Sequence, residues 1–111
     1  MDVIDWDALK ENCAGDDGLV AEIIELFRKE GPMLLADVKS AVGSREALAI
    51  KRSAHRLKGA LVSLGAHSAT SLAKDLELAG SSNDLSRVPE LNTQLEVEMS
   101  KLMTVLQTHR A

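Results

Sequence analysis

Apolar residues recur every three or four positions along most of this chain, in stretches separated by glycine, proline, serine and asparagine. This spacing places apolar side chains on one face of a helix, whereas a half-buried strand needs an apolar residue at every second position. No two stretches are joined in the way that indicates a β-hairpin. The chain is therefore expected to be all-α, and its length of 111 residues fits a single domain over 1–111.

Turn signals divide the first half of the chain into helices. Asp5 is expected to cap a short helix through Asn12 that ends at Ala14-Gly15, and Asp16 or Asp17 to cap a second helix. Because Pro32 lacks an amide donor, we expect a kink or a break at Gly31-Pro32. We assign the apolar residues on both sides of it to the core: Leu19, Ile23, Leu26, Phe27, Leu34, Leu35, Val38 and Val42.

In the second half, Gly43 is expected to end the second helix and Ser44 to cap the third, which runs from about Arg45 to Leu64. A fourth helix is expected from about His67 to Ala79, then a loop over 80–84. A last helix should start near Ser86 and tolerate Pro89 in its first turn. The expected core positions of these two helices are Ala69, Leu72, Ala73, Leu76, Leu91, Leu95, Leu102 and Leu106. The pattern predicts an antiparallel, up-down four-helix bundle with a short additional N-terminal helix.

Composition excludes several classes of function. The formal net charge of −4 argues against a general nucleic-acid binder. The single Cys13 cannot form an internal disulfide, and one cysteine with three scattered histidines argues against a structural zinc site. No apolar run reaches the roughly 20 residues that cross a bilayer, and the N-terminus does not resemble a signal peptide. We expect a cytoplasmic protein without a metal or cofactor of its own. Because each helix has one apolar stripe, we also expect a monomer.

The third helix has an unusual polar face. Its apolar stripe consists of Ile50, Ala54, Leu57, Leu61 and Leu64. His55 lies nearly opposite Leu57 on the helical wheel, so we expect it to point to solvent, although a histidine in a helix is often a core residue. Its neighbours one turn away include Lys51, Arg52 and Lys58, which is also expected to face solvent. This basic patch could bind a partner, but it could equally be an ordinary charged helix face in contact with solvent.

Gly59 adds information, because a glycine inside a helix costs roughly 1 kcal/mol relative to alanine. Either another molecule approaches the helix there, or a neighbouring helix packs closely against it. Gly59 lies about 40° from His55 on the wheel and away from the core stripe, which favours access from outside. Leu48 and Val62 project on the same side as His55. Apolar contacts of this kind suit a protein interface, although single exposed apolar residues are common.

These residues carry a resemblance to a known family. The segment Ala54-His55-Arg56-Leu57-Lys58-Gly59 resembles the signature of histidine phosphotransfer (HPt) domains, in which lysine and glycine follow the histidine by three and four residues. The resemblance continues through Ser63-Leu64-Gly65-Ala66, then Leu72-Ala73-Lys74-Asp75-Leu76-Glu77, with Gly80 after it. It covers most of the chain, although the first 45 residues match only in general pattern.

The resemblance implies a function for each of these positions. His55 would be the phosphoacceptor, because an imidazole is a competent nucleophile without a dedicated base. Lys58 would neutralise the phosphoryl oxygens, Gly59 would leave room for the partner, and Ser63 would orient the ring through a hydrogen bond. The remaining partner-binding residues would be Lys51, Arg52, Arg56 and Val62.

The implied partners are response-regulator receiver domains, which would supply the reactive aspartate and Mg²⁺, and an upstream hybrid histidine kinase. Leu61 and Val62 are bulkier than the residues the family often has after the glycine, which bears on the identity of the partner. His67 and His109 lack the matching context, and we expect both to be surface residues.

Three alternatives stay open from the sequence. The chain could be the phosphorylated domain of a chemotaxis-type kinase, which carries a similar helix. It could be a helical adaptor that carries no phosphate. It could also be an enzyme, but no paired carboxylates, nucleophile–base pair or ligand cluster is evident near His55. The sequence does not distinguish a whole protein from a part of a larger kinase.

Overall fold

A computed structural model describes residues 3–108, and this part of the chain forms five α-helices. These are α1 (Trp6–Asn12), α2 (Asp17–Ser44), α3 (Ala47–Leu64), α4 (His67–Ser82) and α5 (Val88–Thr108). Helix α3 packs against α2 and α4, and α5 completes the ring by packing against the same two helices. The end of α4 lies against the start of α3, as antiparallel neighbours require. The predicted four-helix bundle with an additional N-terminal helix is confirmed.

The core consists mainly of leucine and alanine. The α3 stripe that the sequence analysis assigned to the interior is fully buried, from Ile50 to Leu64. The four leucines assigned to the core in α5 are also buried, and Met99 joins them. Each fully buried leucine contributes roughly 1.5–3 kcal/mol through the hydrophobic effect. Because α3 cannot rotate about its axis without exposing this stripe, burial of the stripe also fixes the direction in which the polar face of α3 points.

Helix α2 departs from the expected core pattern. Leu19 and Leu26 are exposed, at 39% and 54%, so their assignment to the core is wrong. They lie seven residues apart, at the edge of the stripe that packs against α3 and α5. The buried positions are those centred on Ile24, Phe27 and Val38. Sequence periodicity identifies the apolar side of a helix but not the width that its neighbours cover.

Pro32 does not break α2, which continues from Asp17 to Ser44. Of the kink or break expected at Gly31-Pro32, the break is therefore wrong. An internal proline costs about 3 kcal/mol through its missing hydrogen bond and its steric clash. Phe27 on one side of Pro32 and Val38 on the other both enter the same core, and this packing outweighs the cost. Gly31 is needed beside it, because a Cβ atom there would lie 2.7 Å from the Phe27 ring.

Two helix boundaries differ from their predictions for local reasons. Arg45 adopts a left-handed conformation and caps the C-terminus of α2, and the Ser44 hydroxyl donates back to the Ala41 carbonyl oxygen instead of capping α3. Helix α3 accordingly starts at Ala47. Helix α4 continues past Ala79 to Ser82, so Gly80 is a buried helical residue and not part of a loop.

Helix α1 closes the end of the bundle at the turn between α3 and α4. The Asp5 side chain caps α1 by accepting from the Ala8 amide, as predicted, and the Asp5 amide donates to the Gly65 carbonyl oxygen at 2.8 Å. The Asn12 side-chain amide donates to the carbonyl oxygens of Val62 and Ser63 at the end of α3. Among the described residues, no helix is both long and apolar enough to cross a membrane.

The turn at Gly65 yields a stability prediction. Gly65 has a φ of +79°, and a Cβ atom there would lie 2.7 Å from the Asp5 carbonyl oxygen. Gly65→Ala should therefore lower the free energy of unfolding by at least about 2 kcal/mol, since the left-handed conformation alone costs about 1–2 kcal/mol. Gly43 is the matched control, because it is helical and faces open space, so Gly43→Ala should stabilise by up to about 1 kcal/mol. Urea denaturation measures both, and equal effects would contradict this account of the turn.

Candidate functional site

His55 lies in the middle of α3 on the face opposite the core, with its side chain 65% exposed. Its imidazole is held by a carboxylate on the next helix, because Nδ1 lies 2.7 Å from Oε2 of Glu77 in α4. The prediction that His55 faces solvent is confirmed. The ring is also oriented, by a contact that the sequence analysis did not anticipate.

Glu77 serves two partners at once. Its other oxygen, Oε1, accepts a hydrogen bond of 2.6 Å from the Lys58 ammonium. The Glu77 and Lys58 side chains are only 17% and 26% exposed. Lys58 was expected to face solvent, but its side chain is partly buried because it crosses to Glu77 in α4. His55, Lys58 and Glu77 form one connected group, which we call the α3–α4 triad.

The surroundings of Glu77 lower the pKa of its carboxyl below the ordinary value of 4.5. The hydrogen bond from Lys58 is the largest cause, and the hydrogen bond from His55 acts in the same direction. Partial burial opposes both by disfavouring the charged form. Glu77 is therefore ionised at neutral pH, and its charge partly offsets the basic patch on α3.

An ionised carboxylate can only accept hydrogen bonds, so His55 must donate its Nδ1 proton to Glu77. In the neutral imidazole, Nε2 then carries the lone pair. The triad thus selects one tautomer of His55 and leaves Nε2 as the ring nitrogen with a free lone pair. Because the side chain is largely exposed, a partner can approach this nitrogen.

On one side of His55, the surface of α3 has no side chain, because Gly59 occupies that position. A Cβ atom built on Gly59 would have no other heavy atom within 4 Å, which confirms that this glycine faces open space. Beside it, α2 and α3 form a groove of about 300 Å³, lined by Ile23, Leu26, Phe27, Glu30, Gly59, Ala60 and Ser63. We call it the α2–α3 groove. Leu48 and Val62 are also exposed, at 55% and 53%.

The other residues predicted for the site lie around the triad. Lys51, Arg52 and Arg56 are exposed on α3. The Ser63 hydroxyl donates to the Gly59 carbonyl oxygen at 3.3 Å, an ordinary bond within a helix, while Glu77 holds the ring that Ser63 was expected to orient.

Among the described residues, His67 is the other histidine, and it is not part of this site. His67 begins α4, is 66% exposed as expected, and bonds through Nε2 to Asp5 at 3.0 Å. His109 lies outside the described residues. Over residues 3–108, no three acidic, histidine or cysteine side chains are grouped to hold a metal ion.

Glu77 is the functional residue that sequence reasoning missed. It was part of the matching segment on α4 but received no role, since only paired carboxylates or a ligand cluster near His55 were sought in the sequence. Its position adjoins Leu76 and lies three residues before Gly80, both of which face the interior. A carboxylate at the border of a buried stripe was the available signal, but its partner could be found only from the pairing of α3 with α4.

The family model of the Hpt domain matches residues 22–107, which include the whole triad. The chain belongs to the Hpt domain family. Hpt domains are phosphocarrier modules that work with histidine kinases and receiver domains in phosphorelays. The role in histidine phosphotransfer that the resemblance implied is therefore supported at the level of the family.

Solved structures show the same fold at low sequence identity. Histidine-containing phosphotransfer protein B (HptB) from Pseudomonas aeruginosa PAO1 is similar with a TM-score of 0.86 and 22% identity, over 97% of each chain. The HPT domain from the Hpt sensor hybrid histidine kinase from Shewanella is similar with a TM-score of 0.85 and 17% identity, over 95% of this chain and 91% of that one. No curated protein matches the sequence.

The two histidines that bond to carboxylates should have opposite tautomers. Above the pH at which the rings are protonated, ¹⁵N NMR should show the proton of His55 on Nδ1 and that of His67 on Nε2, because each ring donates to its carboxylate through that atom. Glu77→Ala should release the His55 preference and leave His67 unchanged. A His55 ring protonated mainly on Nε2 in the unaltered protein would contradict the geometry of the triad.

Proposed function

We propose that His55 accepts a phosphoryl group at Nε2 from the aspartyl phosphate of a receiver domain and returns it to a receiver aspartate. The observation that carries this proposal is the exposed imidazole whose Nδ1 is bound to Glu77, next to Lys58. It leaves one ring nitrogen free as a nucleophile and places a cation one helical turn away. In this role the domain is a carrier without turnover of its own.

The transfer step balances without any added reagent. The Nε2 lone pair attacks phosphorus, the bond from phosphorus to the aspartate oxygen breaks, and the aspartate leaves as a carboxylate. The phosphorylated ring keeps its Nδ1 proton and becomes positively charged opposite the Glu77 carboxylate, which stabilises it. In the reverse step the ring leaves as neutral imidazole. Glu77 accepts the same hydrogen bond from Nδ1 in both directions and so keeps the ring oriented throughout.

Lys58 provides charge neutralisation. Phosphoryl transfer depends mainly on positioning and on stabilising the charge of the phosphoryl oxygens. The Lys58 ammonium has three donors and uses one of them for Glu77 at 2.6 Å. The others can serve a phosphoryl group on His55 while the contact with Glu77 holds the side chain in place. The low exposure of Lys58 makes this interaction stronger than at a fully solvated lysine.

The surface around His55 suits docking of a receiver domain. Gly59 admits the partner's active-site loop, and the α2–α3 groove with Val62 and Ser63 offers an apolar contact beside it. The exposed Lys51, Arg52 and Arg56 would complement an acidic receiver pocket and speed encounter. The receiver would supply the aspartate and Mg²⁺, so this chain needs no cofactor. An upstream hybrid kinase, a cytoplasmic location and a monomeric state stay predictions.

Transfer from a panel of radiolabelled phospho-receiver domains tests this function. The unaltered protein should acquire label that is acid-labile and base-stable, as expected of phosphohistidine, and His55→Gln should acquire none. Lys58→Ala should slow transfer about 10- to 100-fold, since a hydrogen bond to a charged group is worth about 1.5–3 kcal/mol. Lys101→Ala is the matched control, because Lys101 is exposed on α5, whose backbone does not lie beside that of α3.

Each failure of this experiment has a distinct meaning. Label that enters only with ATP and a kinase catalytic domain would indicate the chemotaxis-type alternative. A folded protein that no receiver and no kinase labels would indicate an adaptor. Label that persists in His55→Gln would contradict the assignment of the phosphoacceptor.

Gly59→Lys tests access to the site. The larger side chain should block docking and abolish transfer, while the helix itself gains stability by up to about 1 kcal/mol. Gly43→Lys is the matched control, because Gly43 is also a helical glycine facing open space but lies in α2 near its end. Normal transfer by Gly59→Lys would remove Gly59 from the docking surface.

A further inference from the structure

Gly80 lies at a close approach of α4 to the backbone of α3. A Cβ atom built on it would lie 2.6 Å from the Ala47 carbonyl oxygen and 2.7 Å from the Lys51 amide nitrogen. Real Cβ contacts are essentially never shorter than 3.0 Å. Both atoms belong to the α3 backbone, so no side-chain rotation can relieve the clash. Only a glycine allows this separation of the two helices.

The same crossing is one helical turn from the α3–α4 triad. On α4, Glu77 precedes Gly80 by three residues, and on α3, His55 follows Lys51 by four. Since the helices are antiparallel, both steps lead in the same direction, from the backbone contact to the shared carboxylate. The separation at Gly80 therefore sets the separation at which Glu77 meets its two partners.

We propose that Gly80 is a positioning residue, which brings α4 close enough to α3 for one Glu77 carboxylate to bond His55 and Lys58 together. A Cβ atom at this position would have to recede by about 0.8 Å to reach an ordinary contact of 3.4 Å. Transmitted rigidly to Glu77, this displacement lengthens the 2.7 Å bond to His55 to about 3.5 Å, beyond the usual hydrogen-bond range.

The side chains of the triad cannot all absorb such a displacement. Lys58 has four methylene groups and can follow Glu77. His55 has only two side-chain torsions, and its Cβ is fixed by the buried stripe on the opposite face of α3. The Glu77 side chain is only 17% exposed, so its surroundings restrict the rotation that would carry it back toward His55. Loss of the His55 contact is the expected result.

The test uses NMR on the full, unphosphorylated chain, so its outcome does not depend on phosphotransfer. In Gly80→Ala, the pKa of Glu77, followed by the ¹³C shift of its carboxyl, should rise toward the ordinary value of 4.5. The ¹⁵N shifts of His55 should show a lower fraction of the tautomer protonated on Nδ1. Gly43→Ala, a helical glycine facing open space, is the matched control and should change neither quantity.

A double-mutant cycle separates positioning from general loosening. In a Glu77→Ala background, adding Gly80→Ala should leave the tautomer ratio of His55 unchanged, because the hydrogen bond it acts through is already absent. A folded Gly80→Ala protein with the normal pKa of Glu77 and the normal tautomer of His55 would overturn the proposal.

A further control addresses the case in which Gly80→Ala destabilises the protein too much for the measurement. If Gly80→Ala does not fold alone, the same measurements are made in the Gly43→Ala background with a stabilising osmolyte. A protein that fails to fold there as well would assign Gly80 to folding only and would also overturn the proposal.

The consequence for transfer rate rests on the proposed function. Gly80→Ala should slow phosphotransfer, but no more than Glu77→Ala does, since it acts only through Glu77. If the NMR changes occur and the unaltered protein carries no phosphate, the proposed function fails while the positioning role stands. If the unaltered protein transfers phosphate but Gly80→Ala changes neither the pKa of Glu77 nor the tautomer of His55, the positioning role fails while the proposed function stands.

Discussion

The shared carboxylate of Glu77 links the packing of this bundle to its chemistry. A carboxylate that is only 17% exposed needs charged or hydrogen-bonding partners, because partial desolvation disfavours its ionised form. Here both partners come from α3, and both bonds are short. The orientation of the imidazole is thus a property of the α3–α4 pair and not of the helix that carries His55. Any change that separates these helices acts on the reactive ring.

The helices and the face of α3 could be predicted from sequence because they depend on local periodicity. The stripe from Ile50 to Leu64 repeats without interruption, so the exposure of His55 and Gly59 follows from the helical wheel alone. Errors arose where tertiary contacts override local signals. Leu26 is apolar and in phase with its helix, but no neighbouring helix covers it. Gly80 resembles a turn residue, yet the close approach of α3 keeps it inside α4.

The site was predictable only as far as one helix determines it. Glu77 is 22 residues from His55, and their contact depends on the register of α4 against α3. That register depends in turn on buried small residues such as Ala73 and Gly80. These residues set the distance between the two helices, which the spacing of apolar residues along the sequence does not reveal. The same limitation explains Lys58. Its position on the wheel places it near the solvent-facing side, but a flexible side chain can cross to a carboxylate that sequence periodicity does not reveal.

The geometry of Glu77 also bears on why a carrier of this kind would retain its phosphoryl group. A side chain that acts as a general base toward water accelerates hydrolysis, although a phosphoimidazole does not need one to react. Glu77 is the carboxylate that touches His55, and both of its oxygens are engaged, one by Nδ1 and one by Lys58. The same bonds lower the pKa of its carboxyl, which makes it a weak base at neutral pH. In the proposed carrier, the contacts that orient the imidazole would therefore also keep Glu77 from acting as a base toward water, so this carboxylate would not accelerate loss of the phosphoryl group.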